Sequence, residues 1–323
     1  MDIRCDLRND IDNICRSRLA KAGYSISQNH KFGVLKQYLN VLRREVPVWP
    51  RQVKVHPHLL CPDELKPGFY SLISSLKSGQ NVNIHLSSNL SIADFQDGFL
   101  NDYGLHHFHL GSKIENSGKS KGFVQRTGPV VLAYVTDKIA YLIDIKKHGK
   151  QGDPYIWTDH DVIERLHCEW PESIANFRFS RDMLTFGLKP TQQERKRLRR
   201  ANVNIPIVMA DGTAYMSPGG GTTTANTSVR LQVASDRFRM ESSNVLSHLC
   251  SVIKKGQTQL EYPVKLRLVT FDSCYFFHCD RNNVSYHIEM KKDRVITRSF
   301  VWGGFPEYFP SHFKFNLITT SIF

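Results

Sequence analysis

The stretch Val130-Val-Leu-Ala-Tyr-Val-Thr-Asp-Lys-Ile-Ala-Tyr-Leu-Ile-Asp-Ile145 carries the clearest secondary-structure signal in this sequence. Two apolar runs, rich in β-branched and aromatic residues, flank the polar pair Asp137-Lys138, and this pattern is typical of a β-hairpin. A turn at that pair sets the register of the two strands and predicts one apolar core face. In that register Val130, Leu132 and Tyr134 lie opposite Ile145, Ile143 and Tyr141.

A histidine-rich strand is predicted upstream, in Asp102-Tyr-Gly-Leu-His-His-Phe-His-Leu-Gly111. Side chains alternate between the two faces of a strand, so Phe108 and Leu110 take the core face while His107 and His109 share the other face. Imidazoles titrate near neutral pH, and two of them on one open face suit proton transfer. The alternative interpretation is a polar surface strand without a chemical role.

Composition indicates a globular protein with a polyanionic partner. The 323 residues are 41% hydrophobic and 23% charged, which allows two domains with full cores. The seven cysteines are odd in number and dispersed, which favours a reducing compartment over a disulfide framework. The sequence contains no apolar run of about 18 residues, so it predicts a soluble, cytoplasmic protein with no membrane partner. The net charge of +13 makes nucleic acid the expected partner.

Hydrophobic periodicity predicts an α+β protein in three regions. Residues 1–101 form a helical N-terminal region, residues 102–190 a small antiparallel sheet with a catalytic hairpin, and residues 191–323 a basic helix with a β-rich C-terminal region. The predicted helices are 8–22, 30–45, 62–78, 157–171 and 191–200. The predicted C-terminal strands are 205–209, 229–233, 264–271, 275–279 and 284–290.

Two further segments are candidates for binding anions. The helix predicted at 191–200 contains the densest run of charge in the chain, so either it is a solvated helix face or Arg195, Arg197 and Arg199 bind RNA phosphates. The segment Gly219–Gly221 has the composition of a phosphate cradle. It lacks the lysine and the spacing of a P-loop, so a flexible surface loop is the preferred interpretation.

The segment from Arg126 through the hairpin to His148 and Tyr155 resembles the end of RelE-type ribonuclease toxins. In those toxins an arginine-bearing strand leads into an apolar hairpin, then a basic segment with a histidine, then an aromatic residue. The resemblance covers residues 102–157 and extends to the barnase–EndoU–colicin–RelE group, in which a helix packs on an antiparallel sheet and RNA is cut without a metal. It implies that Arg126 binds phosphate, that His148 is the histidine after the last strand and that Tyr155 is the terminal aromatic residue.

Metal-free cleavage of RNA needs the residue types found here. A base takes the 2′-hydroxyl proton, an acid protonates the leaving 5′-oxygen, and a cation stabilises the charge on the phosphate. RelE-like strands carry lysine and arginine where this chain has histidines, so the proton carriers are assigned from the chemistry. The predicted catalytic residues are His107, His109, Arg126 and His148. Flanking phosphates are assigned to Lys119, Lys121, Lys146 and Lys147, and a base is expected to stack on Tyr103, Tyr155 or Trp157.

The sequence therefore predicts a metal-independent endoribonuclease of toxin or phage-defence type that uses no cofactor, with RNA and an inhibitory, antitoxin-like protein as partners. Two alternatives stay open. One is a nonenzymatic nucleic-acid-binding protein, in which the histidines pack and contact phosphate. The other is a metal-dependent nuclease that uses the same histidines with Asp102 or Asp144 as further ligands. The chain lacks a recognisable acidic cluster for two-metal chemistry, so acid–base catalysis is preferred.

Overall fold

The computed structural model describes residues 2–28, 32–149, 151–179, 190–256, 260–271, 274–289 and 317–321. Within them the helices, in chain order, are α1 (Leu7–Lys21), α2 (Val34–Arg44), α3 (Lys66–Ser78), α4 (Gly98–Tyr103), α5 (Asp161–Glu169), α6 (Gln192–Arg200) and α7 (Val229–Gly256). The strands are β1 (Ile3–Arg4), β2 (Gln52–Val55), β3 (Leu105–His109), β4 (Pro129–Val135), β5 (Ile139–Lys147), β6 (Ile207–Val208), β7 (Ala214–Tyr215), β8 (Val264–Lys265), β9 (Arg267–Thr270), β10 (Cys274–Cys279), β11 (Val284–Glu289) and β12 (Leu317–Ser321). The predicted α+β class is confirmed.

The chain forms two compact units, each made of discontinuous segments. The first unit comprises Met1–Arg43, Ser91–Asp94 and Leu231–Phe323, and the second comprises Arg44–Leu90 and Phe95–Arg230. The region boundaries predicted after residues 101 and 190 both fall within the second unit. All the predicted catalytic and substrate-binding residues also belong to this unit.

The first unit packs α1, α2 and α7 with an antiparallel sheet of order β12-β11-β10-β9. The long helix α7 buries one face through residues three and four positions apart, among them Leu231, Phe238, Val245 and Leu249. The prediction of a strand at 229–233 is wrong, because these residues form the first turns of α7. Their short alternation of apolar and polar residues is overridden by the helical period that continues for 28 residues.

The second unit is built on a four-stranded sheet of order β2-β5-β4-β3, in which β2 runs parallel to β5 and the other neighbours are antiparallel. The predicted hairpin is confirmed as β4 and β5, and Tyr134 pairs with Tyr141 as expected. A bulge then shifts the register by one residue, so that Leu132 lies opposite Asp144 and Val130 opposite Lys146. A bulge inserts one extra residue into a strand, which the apolar pattern of the hairpin does not reveal.

Both faces of this sheet are covered. On one face Val130, Leu132 and Ile143 belong to a core cluster that also contains Val162 and Leu166 of α5. His109 is fully buried, and His107 is half-buried. His107 pairs with Leu132 and His109 with Val130, so the two histidines lie together on the face that packs on α5, with ring centroids 6.1 Å apart. The expectation that they share one face is confirmed, and the expectation that this face is open and opposite the core is wrong.

The remaining helix predictions agree with α1, α2, α3, α5 and α6 to within a few residues. Helix α6 begins with the predicted capping box, because the Thr191 side chain accepts from the Glu194 amide at 3.2 Å and the Glu194 carboxylate accepts from the Thr191 amide at 2.8 Å. Residues 30, 31 and 290 of the predicted elements lie outside the described residues.

The triple glycine packs against the C-terminal end of α4. The Gly219 amide donates to the Asp102 carbonyl at 2.8 Å, and the Gly221 amide donates to the Asn101 carbonyl at 2.8 Å. A Cβ atom at Gly219 would lie 2.2 Å from the Leu100 carbonyl oxygen, so a side chain does not fit there. These amides satisfy the last carbonyls of α4 and are not available to cradle a phosphate.

The seven cysteines are all free thiols. Among the described helices, none is both long and apolar enough to cross a lipid bilayer.

Candidate active site

Three of the four predicted catalytic residues line one cavity of about 440 Å³. His107 reaches it from β3, Arg126 from the loop before β4, and His148 from the residue that follows β5. The His148 amide donates to the Gly128 carbonyl at 2.9 Å, which holds the end of β5 beside the Arg126 loop. Residues distant in the sequence are thus brought together by the pairing of three adjacent strands.

The histidines form a compact cluster against an indole ring. The ring centroids of His107 and His148 are 6.3 Å apart, and each lies near Trp157, at 4.9 Å and 5.9 Å respectively. His109 is 5.0 Å from His148. Two imidazoles therefore face the cavity beside one aromatic wall, with the third imidazole behind them.

His109 is placed differently from the other two. It is fully buried, and its Nδ1 lies 3.2 Å from the Thr127 carbonyl oxygen and 3.3 Å from the Thr127 amide nitrogen. Burial, with further contributions from Arg126 and the neighbouring imidazoles, lowers the pKa of His109 to about 2. His109 is thus neutral at ordinary pH and supports the cluster, while His107 and His148 are the imidazoles that reach the cavity.

The pKa values of His107 and His148 are also lowered. Burial is the main cause at both sites, and the positive charge of Arg126 lowers both further. At His107 the carboxylate of Asp97 acts in the opposite direction and raises the pKa. Both imidazoles are therefore neutral in the free protein at neutral pH. A phosphate in the cavity would add negative charge and favour protonation of one of them.

The predicted phosphate-binding lysines divide into two sets. Lys119, Lys121 and Lys147 are exposed. Lys146 is half-buried, and its ammonium group forms a salt bridge with the buried carboxylate of Asp159. Lys146 is thus part of an internal ion pair, whereas the other three are open to a ligand.

Helix α6 divides its arginines between the interior and the solvent. Arg195 is 4% exposed and donates to the Pro206 carbonyl at 3.0 Å. Arg199 donates through Nε to the Asp102 carboxylate at 2.8 Å and also to the Trp157 carbonyl. Arg197 is exposed. Of the three arginines predicted to bind RNA, Arg197 points outward and Arg195 is buried. Arg199 lines the histidine cavity while its guanidinium group binds Asp102.

The three aromatic residues considered for stacking also differ in access. Tyr103 is fully buried, and its hydroxyl donates to the Thr158 carbonyl at 2.9 Å. Tyr155 is half-buried, with the Lys196 ammonium 5.1 Å from its ring centroid. Trp157 lines the cavity. Of these three rings, Trp157 is therefore the one placed to contact a ligand in the cavity.

The two carboxylates considered as further metal ligands are occupied by cations. Asp102 is paired with Arg199, and Asp144 lies 3.5 Å from Arg165 and 3.8 Å from Lys146. Within the described part of the chain, the group whose geometry suits a metal ion is Asp159, His160 and Asp161. The ammonium group of Lys146 already binds Asp159. None of these carboxylates lines the histidine cavity.

Sequence reasoning missed the wall of the cavity formed by Phe95, Asp97 and Phe99. Asp97 is the N-cap of α4, and its Oδ1 accepts from the amides of Phe99 and Leu100, each at 3.1 Å. An aspartate just before a short apolar run is a recognisable helix start. That signal identifies the cap, but it does not show that the cap faces the histidines.

Comparison of the chain with protein-family models, with curated proteins and with solved structures finds no match. The resemblance to RelE-type toxins therefore stays a prediction. The function has to be inferred from the cavity and from the charges around it.

Proposed function

We propose that this chain is a metal-independent endoribonuclease and that its active site is the cavity lined by His107, Arg126 and His148. The observation that carries the proposal is the convergence of two imidazoles and a guanidinium group on one cavity of about 440 Å³. These are the three groups that RNA cleavage without a metal requires.

The placement of the two imidazoles suits transfer of protons on opposite sides of a phosphodiester. With ring centroids 6.3 Å apart, one imidazole can take the proton of the 2′-hydroxyl while the other gives a proton to the leaving 5′-oxygen. Arg126 contributes a charge that does not depend on pH and stabilises the negative charge that builds up on the phosphate oxygens. The expected products are a 2′,3′-cyclic phosphate and a 5′-hydroxyl end.

The surroundings of the cavity support RNA as the substrate. Trp157 and Phe95 offer aromatic surface to an unstacked base, and single-stranded RNA exposes such bases. Exposed cations near this part of the chain in sequence, among them Lys119, Lys121 and Lys147, are candidates for the flanking phosphates. The net charge of +13 favours association with a polyanion. Cytoplasmic location, a toxin or phage-defence role and an antitoxin-like inhibitor belong to the same proposal.

The test is incubation with labelled RNA and with the matching DNA, each in the presence of EDTA. The expected result is cleavage of RNA alone, because DNA lacks the attacking 2′-hydroxyl. Replacement of Arg126 by alanine should lower the rate by about 10²–10³-fold, the usual cost of removing one group that stabilises the charged transition state. Arg8→Ala and His58→Ala, at exposed positions that do not line the cavity, serve as matched controls for the arginine and histidine variants.

Other outcomes would contradict the proposal in defined ways. RNA binding without cleavage would identify a nonenzymatic nucleic-acid-binding protein. Cleavage that EDTA abolishes and a divalent metal restores would identify a metal-dependent nuclease. Equal cleavage of DNA would exclude attack by the 2′-hydroxyl.

A further inference from the structure

The cavity contains a carboxylate beside its imidazoles. Among the described residues that line it, Asp97 supplies the only acidic side chain. Asp97 also lines a small adjoining cavity of about 20 Å³ together with His107 and Arg44, whereas His148 is not part of that second cavity. Asp97 and His107 therefore line both cavities together, whereas His148 lines only the larger one.

The position of Asp97 is fixed by the helix that it caps. Its Oδ1 accepts from the Phe99 and Leu100 amides at 3.1 Å each, so the carboxylate is held at the N-terminal end of α4. An asparagine can make the same cap without the charge, because Asn and Asp are about equally good N-cap residues. The electrostatic and structural roles of Asp97 can thus be separated by one substitution.

We propose that Asp97 directs the proton of the active site to His107, so that His107 is the general acid and His148 the general base. The inference rests on the proposed function, and it assigns Asp97 as a positioning residue that acts through His107. It also sets the direction of the substrate, because the leaving 5′-oxygen must lie on the His107 side and the attacking 2′-oxygen on the His148 side.

Several charged and titratable groups surround His107, and among those described Asp97 is the one that favours its protonated form. His109 lies on the same strand, His148 follows β5, and Arg126 precedes β4. Arg199, from α6, lines the larger cavity, and Arg44, from the end of α2, lines the small cavity together with His106. The charge of Asp97 raises the pKa of His107, against the effects of burial, His148 and Arg126. At His148 burial is the main cause that lowers the pKa, a hydrogen bond with its own backbone raises the pKa, and the charge of Arg126 lowers it again.

Cleavage begins with His107 protonated and His148 neutral. His148 takes the proton from the 2′-oxygen as the bond between that oxygen and phosphorus forms. The bond between phosphorus and the 5′-oxygen breaks, and His107 gives its proton to the departing 5′-oxygen. The step leaves His148 protonated and His107 neutral, and hydrolysis of the cyclic phosphate exchanges these roles.

The first test measures the histidines directly, by NMR titration of the full chain with the imidazole signals assigned by substitution. Asp97→Asn should lower the titration midpoint of His107 more than that of His148. The rate of RNA cleavage above that midpoint should then fall by about tenfold for each pH unit that the midpoint moves. Asp63→Asn, an exposed carboxylate outside the cavity, is the control for loss of one negative charge. Asp97→Ala removes the cap together with the charge, so the difference between the alanine and asparagine variants measures the structural contribution.

The second test separates acid from base with a substrate that needs no acid. The four ribonucleoside 3′-(4-nitrophenyl phosphates) release a stable phenolate, so their cleavage requires the base but not protonation of the leaving group. His107→Ala and Asp97→Asn should cleave them at nearly the wild-type rate while losing activity on RNA, by about 10²–10⁴-fold for His107→Ala. His148→Ala should be slow on both substrates.

The outcomes distinguish the two proposals. Rescue of His148→Ala instead of His107→Ala would reverse the assignment and overturn it. An unchanged His107 titration in Asp97→Asn would overturn the role of Asp97, whether or not the chain cleaves RNA. A wild-type chain that cleaves neither substrate would overturn the proposed function, and the titration would still decide where the proton resides.

Discussion

Removal of the Arg199 side chain should destabilise the second unit much more than removal of any exposed arginine of α6. Arg199 and Asp102 form an ion pair whose side chains are 16% and 13% exposed. Ser217 donates to the other carboxylate oxygen of Asp102 at 2.6 Å, and the Arg199 guanidinium lies 4.8 Å from the ring centroid of Tyr103. In Arg199→Met the Asp102 charge would keep only its hydroxyl partner. Breaking such a buried pair from one side costs about 3–5 kcal/mol.

A double-mutant cycle provides the assay. Arg199→Met, Asp102→Asn and the double variant are compared with Arg197→Met, the matched change at an exposed position of the same helix. The double variant should recover much of the loss, because no buried charge is left without a partner. Hydrogen exchange of the amides of β3 to β5 reports the free energy of opening of this unit separately from the first. Equal costs for Arg199→Met and Arg197→Met would refute the reasoning.

Three further predictions follow from burial and charge. Because the folded-state pKa of His109 lies far below its usual value, the stability that it contributes is complete above about pH 6.5 and is lost as the pH falls, by about 2 kcal/mol at pH 5. Denaturation of the wild-type and His109→Gln chains above about pH 6.5 and at about pH 5 checks this. An equal loss of unfolding free energy in the two chains between these pH values would contradict it. Neutralising the exposed Arg197 and Arg200 should reduce the slope of log affinity for single-stranded RNA against log salt by about 1.4, as measured by fluorescence anisotropy, while an unchanged slope would place both outside the interface. Gly219→Ala should cost about 1–3 kcal/mol in urea denaturation because its Cβ would overlap a carbonyl of α4, whereas Gly128→Ala, with nothing within 4 Å, should be nearly neutral in packing.

Local patterns predicted the hairpin and which side chains of β3 share a face, because both depend on short-range periodicity. The alternation of side chains correctly placed His107 and His109 together, and the turn correctly paired Tyr134 with Tyr141. The burial of His109 was not predicted, because the alternation of a strand shows which residues share a face but not what covers that face. The segment around Trp157 that does so lies almost 50 residues downstream.

Two other predictions differ from the structure, one because of a long-range ion pair and one because of the length of sequence considered. Arg199 belongs to the densest charge run of the sequence, where solvent exposure is the usual expectation, yet its partner Asp102 is 97 residues away. Five residues at the start of α7 alternate like a strand. Over a longer window the apolar residues follow the helical period, and the structure buries Leu231, Phe238, Val245 and Leu249 along it. A longer stretch of sequence predicts the helix, whereas the Arg199–Asp102 ion pair becomes evident only in the three-dimensional structure.

The discontinuity of the first unit imposes an order on synthesis. Helix α1 contacts β9 through the bond from Arg18 to Thr270 at 3.0 Å, and these residues are 252 positions apart. A ribosome that adds about 5–20 residues per second finishes residues 44–230 before it has made α7 or β9, so α1 and α2 spend roughly 10–40 s without their partners. The nascent chain therefore holds every residue of the histidine cavity before the core of the first unit can close, and the helices translated first are among the last to be packed.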